Sequence, residues 1–175
     1  MTNLTAAADF SLKGTDGNTY SLASFKDAKA LVIFFTCNHC PYAKAYEDRL
    51  IAIQKEYAAK GVRLVAINAN DDVGYPEDSF ENMVKRDKDK NFNFPYLHDD
   101  TQQVAKTYGA TSTPQLFVFG ADRHLAYTGK IDDNWQNPSE VKQHYLRETL
   151  DAIIADKAPP QAETFAIGCS IKWRQ

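Results

Sequence analysis

Cys37 and Cys40 stand two residues apart in the stretch Phe34-Phe35-Thr36-Cys37-Asn38-His39-Cys40-Pro41-Tyr42. Two thiols at this spacing can supply half of a metal site, form a structural bridge, or cycle between dithiol and disulfide. A closed zinc site needs four ligands, and the other histidines, His98, His124 and His144, are scattered without a second paired cluster. Three cysteines in 175 residues are too few for a secreted disulfide scaffold. The start, Met1-Thr2-Asn3-Leu4-Thr5, has no basic or apolar leader, so the expected location is cytoplasmic. In a reducing compartment a structural bridge is disfavoured, and the pair is expected to be a redox couple that needs no metal and no cofactor.

The elements that must position this pair are legible from periodicity. Ala30 to Phe35 is continuously apolar, β-branched or aromatic, which predicts a central strand covered on both faces. After the cysteines, Tyr42, Tyr46, Leu50, Ile53 and Tyr57 recur at spacings of three and four, one stripe of a long helix that Gly61 ends. Cys37 then lies at the carboxyl end of a strand and near the amino end of a helix. Helix N-termini favour a thiolate, and three positions of separation let Cys40 bond to Cys37 with little strain. This assigns Cys37 as the exposed attacking thiol and Cys40 as the covered resolving thiol. A partly protonated His39 would lower the Cys37 pKa and make the couple more oxidising; otherwise it simply faces solvent.

The remaining elements alternate. Residues 10–12 and 19–22 read as a hairpin around Gly14-Thr15-Asp16-Gly17. Val62 to Ile67 and Phe94 to Leu97 read as strands, and Phe80, Met83 and Val84 mark a second helix. Asp100 with Gln103 suggests a capping box for a short helix ending near Tyr108-Gly109. Gln115 to Phe119 and Leu125 to Thr128 form a second hairpin, and Asn137-Pro138 is expected to open a last helix carrying Val141, Tyr145, Leu150 and Ile154. The order gives an α/β domain with a mixed sheet, one domain over 1–175 with a core of about 8–155 and a C-terminal tail over 156–175. Asp132-Asp133 could act in a site or cap a turn, the turn being favoured. The run Lys85-Arg86-Asp87-Lys88-Asp89-Lys90 is mixed in sign and suits a solvated helix end or loop.

With 20 basic against 23 acidic residues and a net charge of -3, there is no electrostatic footprint for nucleic acid. No stretch approaches the roughly 20 apolar residues that span a bilayer. In the tail, Ile167, Cys169, Ile171 and Trp173 alternate with smaller or polar residues, as on one face of a strand. Cys169 is either a small packed thiol or a third redox partner.

The leading hairpin Phe10-Ser11-Leu12-Lys13-Gly14-Thr15-Asp16-Gly17-Asn18-Thr19-Tyr20-Ser21-Leu22, the strand ending in Cys37-Asn38-His39-Cys40, and Thr111-Ser112-Thr113-Pro114 before Gln115-Leu116-Phe117-Val118-Phe119 resemble the thioredoxin-like superfamily. The similarity is to its TlpA-type and AhpC/TSA branch, including a small group with a tail like Gly168-Cys169-Ser170-Ile171-Lys172-Trp173. The resemblance implies a central mixed sheet flanked by helices. It also implies a cis-proline at Pro114 facing the thiols, with the Thr113 backbone offered to an extended substrate. His39 before the second cysteine resembles the oxidising members, DsbA and the protein disulfide isomerases. Two features depart from the pattern. Thioredoxin keeps a buried carboxylate on the strand before its cysteines, and residues 30–35 contain none; Glu47 is a weak substitute. Peroxiredoxins place threonine three residues before the peroxidatic cysteine, and Thr36 does not fit that spacing. The expected activity is thiol–disulfide exchange, with a protein or small-molecule disulfide as substrate and a thioredoxin- or glutathione-type electron donor. The alternatives are an antioxidant peroxidase and, less favoured, a metal- or partner-binding module.

Overall fold

A computed structural model describes residues 2–175. Nine strands and four α-helices follow one another: β1 (Leu12–Gly14), β2 (Thr19–Tyr20), β3 (Ala30–Phe35), α1 (Pro41–Tyr57), β4 (Val62–Asn68), α2 (Phe80–Lys90), β5 (Tyr96–His98), α3 (Gln103–Tyr108), β6 (Ser112–Thr113), β7 (Gln115–Phe119), β8 (Leu125–Gly129), α4 (Tyr145–Ile154) and β9 (Cys169–Ser170). Seven strands form a mixed sheet in the order β2-β1-β5-β4-β3-β7-β8, and β6 pairs separately with β9. This is the α/β architecture expected, with the N-terminal hairpin at one edge.

β3 lies between parallel β4 and antiparallel β7, in register from Ala30↔Val62 to Phe35↔Ile67 and from Leu31↔Phe119 to Phe35↔Gln115. Its six residues are all buried, and strand alternation divides them between two cores. Ala30, Val32 and Phe34 pack with Tyr46, Leu50, Ile53 and Tyr57 of α1 and with Leu146 and Leu150 of α4. Leu31, Ile33 and Phe35 pack on the other face with Phe25, Tyr108 and, from the tail, Ile171. A strand buried on both faces and paired on both edges is a rigid base for whatever its C-terminus carries.

The α1 stripe forms as the periodicity predicts, with Tyr46, Leu50, Ile53 and Tyr57 buried and Tyr42 half-buried. Gly61 closes the helix end at φ 84°, where a residue with a side chain would be strained. Buried Gln54 ties α1 to β4: its Nε2 donates to Val62 O and its Oε1 accepts from Leu64 N–H.

Phe80, Met83 and Val84 lie on α2 as expected, Met83 fully buried and Val84 exposed. Two expectations are corrected. Asp99, not Asp100, caps α3, accepting the N–H groups of Val104 and Ala105, so that Gln102 enters the helix at φ 65°. Asn137-Pro138 opens only a single turn, Pro138–Glu140, and α4 begins later, at Tyr145. The loop holds the intervening stretch out of the helix, since Lys142 N–H donates to Asp133 Oδ1 and Asp133 N–H to Gln143 O. The mixed charge run occupies the last turns of α2, where Arg86 pairs with Glu47 and Lys90 with Asp48. No helix among the described residues is long and apolar enough to cross a membrane.

Replacing Gln54 by Leu keeps the volume but strands a buried carbonyl and a buried N–H; the expected loss is about 2 kcal/mol or more, read from chemical denaturation. A stability unchanged within error would show that α1 is held to β4 by packing alone.

Candidate active site

β3 delivers Cys37 two residues beyond its end, and Cys40 follows at the start of α1. Pro41 occupies the first helical position, where its missing N–H costs nothing, and this makes Cys40 the N-cap residue. Both sulfurs are covered: Cys37 is 1 % and Cys40 0 % exposed. The expectation that Cys37 is the exposed thiol is therefore not met. The helix begins after the pair rather than between its members, and the tail packs over it, with Cys169, Tyr42 and Ala43 completing the thiol cluster.

Thr113 touches both thiols. Cys37 Sγ lies 3.6 Å from its hydroxyl oxygen and Cys40 Sγ 3.5 Å from its carbonyl oxygen. The Thr113–Pro114 bond is cis, as the resemblance implies.

The two thiols pack together, so the charge state of each depends on the other. The Cys37 thiol donates to Cys40, which lowers the Cys40 pKa; Cys169, the Ala43 N–H at the third helical position and Thr113 add to the effect. Cys37 is pushed up by the same hydrogen bond, then by burial, and then by the charge of Asp78. The contact from Cys40 to the Thr113 carbonyl favours a protonated Cys40, but S–H is a weak donor, whereas backbone N–H groups at a helix start are strong ones. The helix start therefore favours negative charge at Cys40 over Cys37.

The buried carboxylate absent from β3 arrives from another element. Asp78, fully buried in the turn before α2, accepts from Asn38 N–H at 2.7 Å, from Asn68 Nδ2 at 3.1 Å and from Asn70 Nδ2 at 3.0 Å. Tyr96 donates to the Asn38 side chain and accepts from Asn68, closing the network. His39 Nδ1 stands 2.5 Å from Asp78 Oδ2 without hydrogen-bond alignment, and its ring stacks on Tyr75. Sequence reasoning missed Asp78, since Pro76-Glu77-Asp78-Ser79 reads as an ordinary helix start. Glu47 is committed to Arg86 instead, and Asp132 takes Tyr46, Arg49 and the N–H of Asn134, an ion pair and a turn.

Donor atoms of Cys37, His39 and Asp78 lie within 4.8 Å of one another. They number one fewer than a closed zinc site requires, and both Asp78 oxygens already accept hydrogen bonds. The set fits a proton path better than a metal.

A parallel–antiparallel sheet with a thiol pair at the end of its central strand, facing a cis-proline, defines a protein of the thioredoxin-like class. A thiol:disulfide interchange protein DsbE from Chlorobium tepidum shares this fold, with TM-score 0.68 at 19% identity, over 86% of this chain and 96% of that one. The AhpC/TSA family profile matches residues 4–128, and the chain belongs to that family. It is 24% identical over 155 residues to thiol-disulfide oxidoreductase ResA from Bacillus thuringiensis subsp. konkukian, covering 87% of this chain and 77% of ResA. A much nearer structural likeness, TM-score 0.92 at 41% identity, is to an uncharacterized conserved protein from Geobacillus kaustophilus, over 99% of this chain and 95% of that one. At that level the likeness includes the tail.

Thiolate absorbance near 240 nm, followed against pH in the reduced protein, should show one thiolate forming below the ordinary cysteine range. Cys40→Ser should remove it, and Cys37→Ala should move it upward by taking away its main donor. A low titration that survives Cys40→Ser would put the charge on another sulfur.

Proposed function

We propose that this protein is a thiol–disulfide oxidoreductase whose redox couple is Cys37–Cys40. One observation carries the reading: two covered thiols pack together at the end of a rigid strand, the second of them at the N-cap of a helix. The relation to ResA and to the AhpC/TSA family supports the same chemistry.

The order of attack differs from what spacing alone suggests. The Cys40 thiolate attacks one sulfur of a substrate disulfide, the other substrate sulfur leaves as a thiolate, and a mixed disulfide forms on Cys40. Cys37 then attacks the Cys40 sulfur. Its proton passes to the Asp78–His39 pair, the second substrate thiolate departs, and the protein is left with a Cys37–Cys40 disulfide. Thr113 and Pro114 line the approach, and His39 sets the poise by balancing the charge of Asp78 beside Cys37. Electrons return from a thioredoxin- or glutathione-type thiol donor. A cytoplasmic setting completes the reading, supported by the sparse cysteines; fractionation that recovers the protein elsewhere would remove that part.

In an insulin or glutathione disulfide exchange assay, Cys40→Ser should abolish turnover. Cys37→Ser combined with Cys169→Ser should accumulate a mixed disulfide on Cys40, detected as an adduct by intact mass. An adduct on Cys37 in the Cys40→Ser protein would restore the order that spacing suggests, and full turnover in either variant would remove the couple altogether. His39→Pro should give a less oxidising couple by redox titration; an unchanged potential would mean that the histidine is inert. Peroxide consumption outpacing disulfide exchange, with thioredoxin as reductant, would favour the peroxidase alternative.

A further inference from the structure

The tail is built into the site. β9 pairs antiparallel with β6, in the register Thr113↔Cys169 and Ser112↔Ser170, and Ile171 N–H donates to Thr111 O at 2.9 Å. The strand thus lies against the backbone preceding Pro114, where the resemblance expects an incoming extended substrate. Beyond it, Asp71 N–H and Gln102 Nε2 both donate to Lys172 O, Lys172 N–H donates to Asn70 Oδ1, and Arg174 N–H donates to Gln102 Oε1. Arg174 pairs with Asp72 and Asp100 at 2.9 Å. Ile171 is buried in the core beneath β3.

Gly168 sets the approach. A side chain there would begin 2.0 Å from Thr113 O, so only glycine lets the strand come close enough to bring Cys169 to Cys40. Cys169 is half-buried, whereas Cys37 and Cys40 are covered, which makes it the most accessible sulfur of the cluster.

We infer that Cys169 is a third redox thiol, the one through which the covered pair exchanges its disulfide with an outside thiol. The inference rests on Cys37–Cys40 being the redox couple. The Cys169 sulfur attacks Cys40 in the Cys37–Cys40 disulfide; the Cys40–Cys169 bond forms, the Cys37–Cys40 bond breaks, and the proton of Cys169 moves to Cys37. No external oxidant is consumed, because one disulfide replaces another. A reductant thiolate then attacks the Cys169 sulfur and Cys40 leaves, and a second reductant thiolate attacks the reductant sulfur of the resulting mixed disulfide, releasing Cys169 and the oxidised reductant. Cys40 is the good leaving group of the three, since a thiolate there is already stabilised. Burial and the neighbouring Cys40 push Cys169 up to about 11, so it suits the attacked sulfur better than the departing one.

The experiment is stoichiometric oxidation of the folded chain by diamide, followed by non-reducing proteolysis and mass spectrometry. Wild-type protein should yield Cys37–Cys40 and Cys40–Cys169 linked peptides together, and Cys37→Ser should yield monomeric Cys40–Cys169 alone. Cys169→Ser should still form Cys37–Cys40, but glutathione should reduce that bond about tenfold more slowly or worse. Gly168→Val keeps all three thiols and should show the same slowing by holding the strand off Thr113. A Cys37→Ser protein that closes no bond to Cys169, or reduction at the wild-type rate in both Cys169→Ser and Gly168→Val, would overturn the inference while leaving the redox couple intact. A protein that forms no Cys37–Cys40 bond even in Cys169→Ser would overturn both.

Discussion

Where α1 begins decides the chemistry of the site. With Pro41 at the first helical position, Cys40 is the N-cap residue, and the positive end of α1, the Ala43 N–H included, favours charge on its sulfur more than on that of Cys37. If the helix started between the two cysteines, the same groups would serve the first sulfur. One residue's inability to donate a backbone hydrogen bond therefore gives two chemically identical thiols unlike surroundings. β3 makes this sorting durable: it is paired on both edges and buried on both faces, so the first sulfur is fixed relative to the helix it faces.

The second constraint is the backbone before Pro114. β6 has unpaired edge groups beside two reactive sulfurs, and an exposed strand edge is a template for any extended peptide. The chain covers it with its own β9. The covering strand is anchored by side chains from three other places, Asn70, Gln102 and the acidic groups facing Arg174, so it is a seated element rather than a loose terminus. While it is seated, an extended protein substrate has no edge to join at Thr113.

Much of this was legible from residue order. The continuous apolar run of β3, the three-and-four stripe of α1, the paired cysteines and Thr113-Pro114 are local patterns, and local patterns survive translation into structure. The alternation around Cys169 signalled a strand, and Ile171 is its buried member, although Ile167 and Trp173 remain largely exposed because β9 is only two residues long. What escaped is set by tertiary contact. Asp78 is more than thirty residues from the cysteines and joins them only through Asn38, Asn68 and Asn70. The late start of α4 depends on Asp133 holding a neighbouring stretch, and the covering of both sulfurs depends on the tail that brings Cys169 onto them. None of these leaves a periodic trace.

Asp78 also explains why the pair tolerates so dry a setting. A buried carboxylate without partners is costly, and a buried thiolate adds a second negative charge close by. Three amide donors hold the carboxylate, and the partly exposed ring of His39 stands at its edge. The negative charge of Asp78 raises the cost of a thiolate on Cys37 and so disfavours charge there. Helix start and buried acid thus act in the same direction on the pair, one by attraction at Cys40 and the other by repulsion at Cys37. An asymmetry produced twice, by independent elements, does not depend on either being perfectly placed.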